Sequence, residues 1–218
     1  TIAKTVPALS ADLGIALDGD ADRVILISPT GNIIEGDQIL YILASIAANN
    51  HRFNSKIVGT ILTNIGLENS LKNKGIELYR SDVGDKNVLQ LMRQTDSILG
   101  GENSGHIINL DLSPSGDGLM TALLVMKAMV ELDKSIDELS NGLELVPQFN
   151  HNIETDLTKL SNDLITKLSD EANTNLNNGR VLVRKSGTEP VLRITVESTD
   201  EVHAQKLFES IKAQVNQA

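Results

Sequence analysis

Asp18-Gly-Asp-Ala-Asp22-Arg23 places three carboxylates at alternate positions of a short loop that follows an apolar run. Carboxylates this close repel one another as anions, and one hard divalent cation bound through their oxygens removes the repulsion. An EF-hand opens in a similar way, but it needs Gly where Arg23 stands and a bidentate Glu where Pro29 stands, so that reading is excluded. Three protein ligands leave positions open for water or a phosphate oxygen, as Mg2+ sites commonly do. The plainer alternative is a solvated acidic turn. A second loop, Gly100-Gly-Glu102-Asn103-Ser104-Gly105-His106, combines glycines that let backbone approach a ligand with Glu and Ser groups that can read sugar hydroxyls. Taken alone it could equally be a tight turn with a hydrogen-bonded His. A third, Arg184-Lys-Ser186-Gly187-Thr188-Glu189-Pro-Val-Leu-Arg193, sets two guanidinium groups and two hydroxyls around a glycine, a composition that suits a phosphate. A charged β-hairpin explains the Arg and Glu residues but not the Ser-Gly-Thr between them.

These loops need rigid elements behind them. The short apolar runs Leu13–Leu17 and Val24–Ile27 read as two buried strands presenting the acidic loop. From Asp37, placed to cap a helix, Ile39, Leu40, Ile42, Leu43, Ile46 and Ala47 fall on one face. A strand at 56–60, a helix at 67–74 closed by Gly75 and a strand at 76–79 continue a βαβ alternation. Short strands at 97–99 and 107–110 flank the glycine-rich loop. Residues 118–132 read as a buried helix capped by Asp117, and Ser135–Glu138 fits a capping box. Residues 145–149 look like a linker into an edge strand. A helix over 157–172, an Asn-rich turn, strands at 180–184 and 191–197 and a helix at 201–215 complete a small α+β unit.

Hydrophobic residues make up 40% of the 218 and charged residues 22%, the profile of a globular chain. Aromatic content of 2% leaves few platforms for base stacking, and a net charge of −10 repels nucleic acid and anionic membranes. With no cysteine there is neither a disulfide nor a thiolate metal site, which is compatible with a cytoplasmic location. No apolar run reaches the ~18–20 residues of a membrane span.

The order Asp-Gly-Asp-Ala-Asp-Arg, Gly-Glu-Asn-Ser-Gly-His, Arg-Lys-Ser-Gly-Thr-Glu-Pro resembles the last three of four signature loops of the phosphohexose mutase superfamily, over essentially the whole chain. The resemblance implies an α/β domain with a mostly parallel sheet followed by a small α+β domain like the TATA-binding protein, after the remnant of a further α/β domain. The implied division is 1–29 (metal-binding), 30–143 (sugar-binding) and 144–218 (phosphate-binding). It also implies Mg2+ held by Asp18, Asp20 and Asp22, with Arg23 adding electrostatic stabilisation. Sugar hydroxyls would be read by Glu102, Asn103 and Ser104, and the substrate phosphate gripped by Arg184, Ser186, Gly187, Thr188, Glu189 and Arg193. Val83-Gly84-Asp85-Lys86 matches a further loop near the sugar, though the family often has Arg-Tyr where this chain has Lys86-Asn87. His106 or Lys86 would assist proton transfer or simply hydrogen-bond the ligand. Gly100-Gly101 and Ala21 resemble the bacterial branch acting on amino sugars more than the phosphomannomutase or phosphoglucomutase branches. That branch implies a phosphorylated amino sugar as substrate and a hexose or hexosamine 1,6-bisphosphate as activator; separately, a homodimer is the assembly to test.

The family's first loop, a Ser followed closely by His-Asn-Pro, has no counterpart, since no Ser-His pair occurs in the sequence. The expectation is a chain entered in the middle of a domain, inactive alone, with an exposed sheet edge prone to association. Two readings from other classes compete. A haloacid-dehalogenase-type phosphatase expects Thr or Val where Asp22 stands and leaves the phosphate loop unexplained. A non-catalytic sugar-phosphate binding module would keep the loops without turnover.

Overall fold

The computed structural model describes residues 1–48, 51–174, 176, 179–187 and 189–216. These fall into two compact units, Thr1–Glu144 and Leu145–Ala218.

The first unit begins with α1 (Ile2–Ala8). Strands β1 (Gly14–Leu17), β2 (Val24–Ile27) and β3 (Ile33–Ile34) follow as an antiparallel meander, and Leu17 pairs with Val24 across the acidic loop. β2 is mostly buried, whereas β1 is only half buried, with Leu17 exposed. Helix α2 (Gly36–Ala47) is capped two residues earlier than Asp37 suggests: Glu35 and Gln38 form the capping box. Asp37 turns inward instead, where its buried carboxylate accepts the Asn64 N–H at 2.9 Å.

Strand β4 (Lys56–Thr60), helix α3 (Ile65–Lys72), strand β5 (Glu77–Ser81), helix α4 (Asp85–Thr95) and strand β6 (Leu99–Gly101) make two successive βαβ units. β7 (Ile107–Asn109) turns back, so the sheet order is β5-β4-β6-β7, with the first three strands parallel and β7 antiparallel. Successive β4 side chains point to opposite faces, as a pleated strand requires. Ile57 joins the core formed with α2, α3 and α5 (Gly118–Leu132), while Val58 joins Val88 and Met92 of α4 and Ile108. The unit is therefore three-layered, α/β/α. The meander shares the larger core, where Val24, Leu26 and Ile34 pack with Leu40, Ala122 and Val125. Short helix α6 (Ile136–Leu139) starts on the Ser135–Glu138 capping box read in the sequence. No described helix is long and apolar enough to cross a membrane.

The second unit is a three-stranded antiparallel sheet in the order β8 (Gln148–Glu154), β10 (Val191–Glu197), β9 (Arg180–Lys185), with helices α7 (Asn162–Thr174) and α8 (Glu201–Val215). Ile153, Val181, Val183, Leu192, Ile194 and Val196 face the helices and meet Leu168, Ala204, Phe208 and Ile211. Helix α7 starts five residues later than the apolar periodicity suggests. Asp156 accepts from the Thr158 N–H at 3.0 Å in a local turn, and Ser161 Oγ then accepts from the Leu164 N–H at 3.1 Å as the helix opens.

Alternate residues of the sheet form a polar face on which fully buried Glu197 accepts from Arg180 Nε at 2.8 Å and Gln148 Nε2 at 2.7 Å. Removing one member of such a pair leaves a buried charge without its partner. Glu197→Ala is expected to destabilise the protein by about 3 kcal/mol, and Glu197→Gln, which keeps an acceptor for Arg180, by clearly less. Urea unfolding followed by circular dichroism checks both values, and equal losses would contradict this account of the pair.

Candidate functional site

Because β4, β5 and β6 are parallel, the loops leaving β5 and β6 emerge at the same edge of the sheet, the edge where open α/β sheets bind ligands. There the Gly84 N–H donates to Glu102 Oε1 at 2.9 Å, joining the Val83–Lys86 loop to the glycine-rich loop. Gly84 has φ +118°, a left-handed region that favours glycine, and it caps α4. Asp85 and Lys86 occupy the exposed first turn of that helix, and Asn87 Nδ2 donates back to the Val83 carbonyl at 2.8 Å.

The glycine-rich loop is a closed turn: Glu102 N–H donates to the His106 carbonyl at 2.9 Å and Gly105 N–H to the Glu102 carbonyl at 3.0 Å. Glu102 and Asn103 are half-buried and Ser104 is exposed between them and Gly105. Gly105 has φ +91°, and any side chain there would collide with the Val24 carbonyl. That close approach lets the Val24 N–H donate to the Gly105 carbonyl at 3.1 Å, and a bridge pairs Arg23 with His106. The loop from the parallel sheet is thus bonded directly to the end of the acidic loop.

In the acidic loop, Asp18, Asp20 and Asp22 each offer a carboxylate oxygen, all within 4.8 Å of one another. Among the described residues this is the one group of three or more His, Asp or Glu side chains that could hold a metal ion. The loop is held from three sides. The Arg23 N–H donates to Asp18 Oδ1 at 3.2 Å, and Arg23 Nε lies 3.8 Å from both Asp18 Oδ2 and Asp22 Oδ1. The Gly118 N–H at the start of α5 donates to the Ala21 carbonyl at 2.8 Å. His106 Nδ1 lies 3.1 Å from Asp22 Oδ2. The donor set is all hard oxygen, exposed on Asp18 and Asp20 and half-buried on Asp22, and it fits a hard divalent cation. Reading the sequence misses the Ser113–Gly118 segment as part of this site. Its signal is the pair of glycines flanking Asp117: a side chain at 116 would strike the His106 ring, and one at 118 the Arg23 carbonyl.

The third loop lies in the second unit and is built separately. Arg184 of β9 and Arg193 of β10 stand directly opposite in the antiparallel register, an arrangement of like charges that costs stability. Burial, and then the facing Arg193 charge, push the Arg184 guanidinium below its ordinary pKa. Glu189 partly offsets this by accepting from Arg193 Nη2 at 2.7 Å, and Arg193 Nε is buried with no hydrogen-bond partner among the described residues. Buried Ser186 closes the turn, its N–H donating to the Val191 carbonyl at 2.9 Å and its Oγ accepting from the Glu189 N–H at 3.3 Å. Gly187 is exposed beside it, and Thr188 lies outside the described residues.

Comparison with known proteins adds the following. The phosphoglucomutase/phosphomannomutase alpha/beta/alpha domain III model matches residues 35–145, and the C-terminal domain model of the same family matches residues 154–214. A phosphoglucosamine mutase of Shewanella loihica is 43% identical over 221 residues, covering 98% of this chain and 50% of the relative. One from Pseudoalteromonas atlantica is 41% identical over 220 residues, covering 100% and 49%. The chain spans about half the length of the curated relatives it matches. An Aspergillus fumigatus N-acetylphosphoglucosamine mutase structure superposes with a TM-score of 0.78 at 18% identity, over 98% of this chain and 51% of that one. A Burkholderia thailandensis phosphoglucomutase/phosphomannomutase family protein gives 0.75 at 24% identity, over 97% and 48%. At these identities the structural likenesses speak for the fold.

The facing arginines generate a prediction independent of any substrate. Inorganic phosphate at about ten times its dissociation constant is expected to stabilise the folded chain by about 1.4 kcal/mol. Arg184→Ala is expected to lose that gain. Thermal melts with and without phosphate, at matched ionic strength, test it; equal stabilisation of both proteins would show that the arginine pair is not the anion site.

Proposed function

The chain belongs to the phosphoglucomutase/phosphomannomutase family, and from that premise we propose that it supplies the metal, sugar and phosphate loops of a phosphoglucosamine mutase. The reaction would interconvert glucosamine 6-phosphate and glucosamine 1-phosphate. The observation that carries the proposal is the joining of the acidic loop to the glycine-rich loop through Asp22, Arg23 and His106. Charge-binding and hydroxyl-reading groups then share one rigid frame. The amino sugar, rather than mannose or glucose, rests on relatives more than 40% identical that carry the name phosphoglucosamine mutase.

In this reading Asp18, Asp20 and Asp22 hold Mg2+. When bound, the ion draws negative charge from a transferring phosphoryl group. A structure of the fungal relative in complex with GlcNAc-6P and magnesium supports the choice of ion and ligand class. Arg23, with a half-exposed side chain beside the acidic loop, adds positive charge where the phosphoryl oxygens arrive. Glu102, fixed by the Gly84 N–H, accepts from sugar hydroxyls, while Asn103 and exposed Ser104 offer further contacts. Asp85 and Lys86 stand at the rim of the same edge. Arg184, Ser186, Gly187, Glu189 and Arg193 form the seat for the phosphate that is not reacting, and Thr188 joins them on its place in the sequence motif alone. A phosphoserine would transfer its phosphoryl group to the sugar 1-hydroxyl, giving a 1,6-bisphosphate. After this intermediate turns over, its 6-phosphate would return to the serine. A further structure of the fungal relative holds glucose 1,6-bisphosphate, in keeping with such an intermediate or activator. No Ser-His pair occurs in the 218 residues, so the serine of this scheme would come from elsewhere.

The test is a coupled assay with glucosamine 6-phosphate, Mg2+ and a sugar 1,6-bisphosphate, run on this chain and on the chain with its upstream coding sequence. Activity is expected in the longer protein, to be abolished by EDTA and to fall on the order of 100-fold or more in Asp20→Ala. An inactive longer protein, or one that prefers mannose or glucose phosphates, overturns the assignment.

A further inference from the structure

His106 stands where the glycine-rich loop ends, and its ring does not point out toward solvent. The residue is 5% exposed, and the ring lies against Gly116, where any side chain would collide with it. Its backbone is held twice, by the bridge to Arg23 and by the Glu102 N–H bonded to its carbonyl. From that fixed position Nδ1 lies 3.1 Å from Asp22 Oδ2. A carboxylate is an acceptor, so the proton of this contact belongs to Nδ1. Nε2 is buried with no hydrogen-bond partner among the described residues.

We propose that His106 is a positioning residue for the metal site, orienting the Asp22 carboxylate through an Nδ1–H donor. The inference rests on the acidic loop being a cation site, as proposed above, and assigns a residue that sets its affinity. Three considerations support it. The loop concentrates three like charges within 4.8 Å, and a donor on Asp22 Oδ2 lowers their mutual repulsion while leaving Oδ1 free of that contact. Asp22 is the half-buried member of the three, so its orientation is set by protein contacts more than that of exposed Asp18 and Asp20. The other nearby charge, Arg23 Nε, lies 3.8 Å from Asp18 and Asp22 alike and cannot fix either carboxylate as a short hydrogen bond does. Because His106 closes the sugar-reading turn, the same bond ties the position of a metal ligand to the shape of that turn.

The test measures Mn2+ affinity of the full chain by electron paramagnetic resonance and calorimetry, with no sugar present. His106→Ala is expected to bind Mn2+ 10–100-fold more weakly than the wild type, and His106→Asn, whose amide can donate from nearly the same place, to recover most of the loss. Melting curves in EDTA separate this effect from misfolding. A His106→Ala protein that binds Mn2+ as the wild type does, while Asp22→Ala does not, overturns the positioning role and leaves the metal site standing. A wild type that binds no Mn2+ overturns both. Long-range 1H–15N correlation of the wild type supplies a readout that needs no His106 variant. A proton is expected on Nδ1, in a signal lost in Asp22→Ala, and a ring protonated on Nε2 alone, with Nδ1 bare, overturns the proposal.

Discussion

Three carboxylates held within 4.8 Å on one short loop are the constraint around which the first unit is organised. Left to itself such a loop would spread to separate its charges. Here it is prevented from spreading by contacts from three directions: the Arg23 amide on Asp18, the Gly118 amide on the Ala21 carbonyl, and His106 on Asp22. Each contact comes from a different element. The meander supplies the first, the N-terminus of α5 the second and the turn after β6 the third. The shared core of β2, α2 and α5 is what keeps these elements in register, so the packing of Val24 and Leu26 with Ala122 and Val125 bears directly on the charge cluster.

Much of this was readable from residues adjacent in sequence. The three loops announce themselves because their chemistry is local: alternate aspartates, a Gly-Glu-Asn-Ser-Gly run, a Ser-Gly-Thr between arginines. The alternation of β4, α3 and β5 was readable for the same reason. Helix α4 carries a weak apolar signal, because only Val88 and Met92 of its eleven residues are buried and they sit among Lys, Asn, Gln and Arg. Asp37 has the right chemistry to cap α2, but its carboxylate is used by Asn64, 27 residues away. Least readable was the Asp22–His106 contact, which spans 84 residues and depends on a glycine at 116 to leave room for the ring. No local pattern encodes it; it follows from a parallel sheet delivering one loop to the side of another.

The second unit repeats the logic with the opposite sign. Arg184 and Arg193 face each other across two strands whose register is fixed by six consecutive pairs, and neither can move away without breaking the ladder. Burial already weighs against the charge on Arg184, and Glu189 satisfies only one of the two guanidinium groups by a short contact. A fold chosen for stability alone would place a neutral or acidic residue at one of these positions, as it does at the other end of the same face, where Arg180 stands opposite Glu197. The contrast along one sheet face is informative. At one end unlike charges are paired and buried, which holds the strands; at the other like charges stand opposite each other near the turn that joins β9 to β10. Geometry there is provided by the strands, and the electrostatic deficit is what an oxyanion would remove. The two clusters thus share one physical feature: each concentrates like charge that its own neighbours, Arg23 and His106 in one and Glu189 in the other, offset only in part.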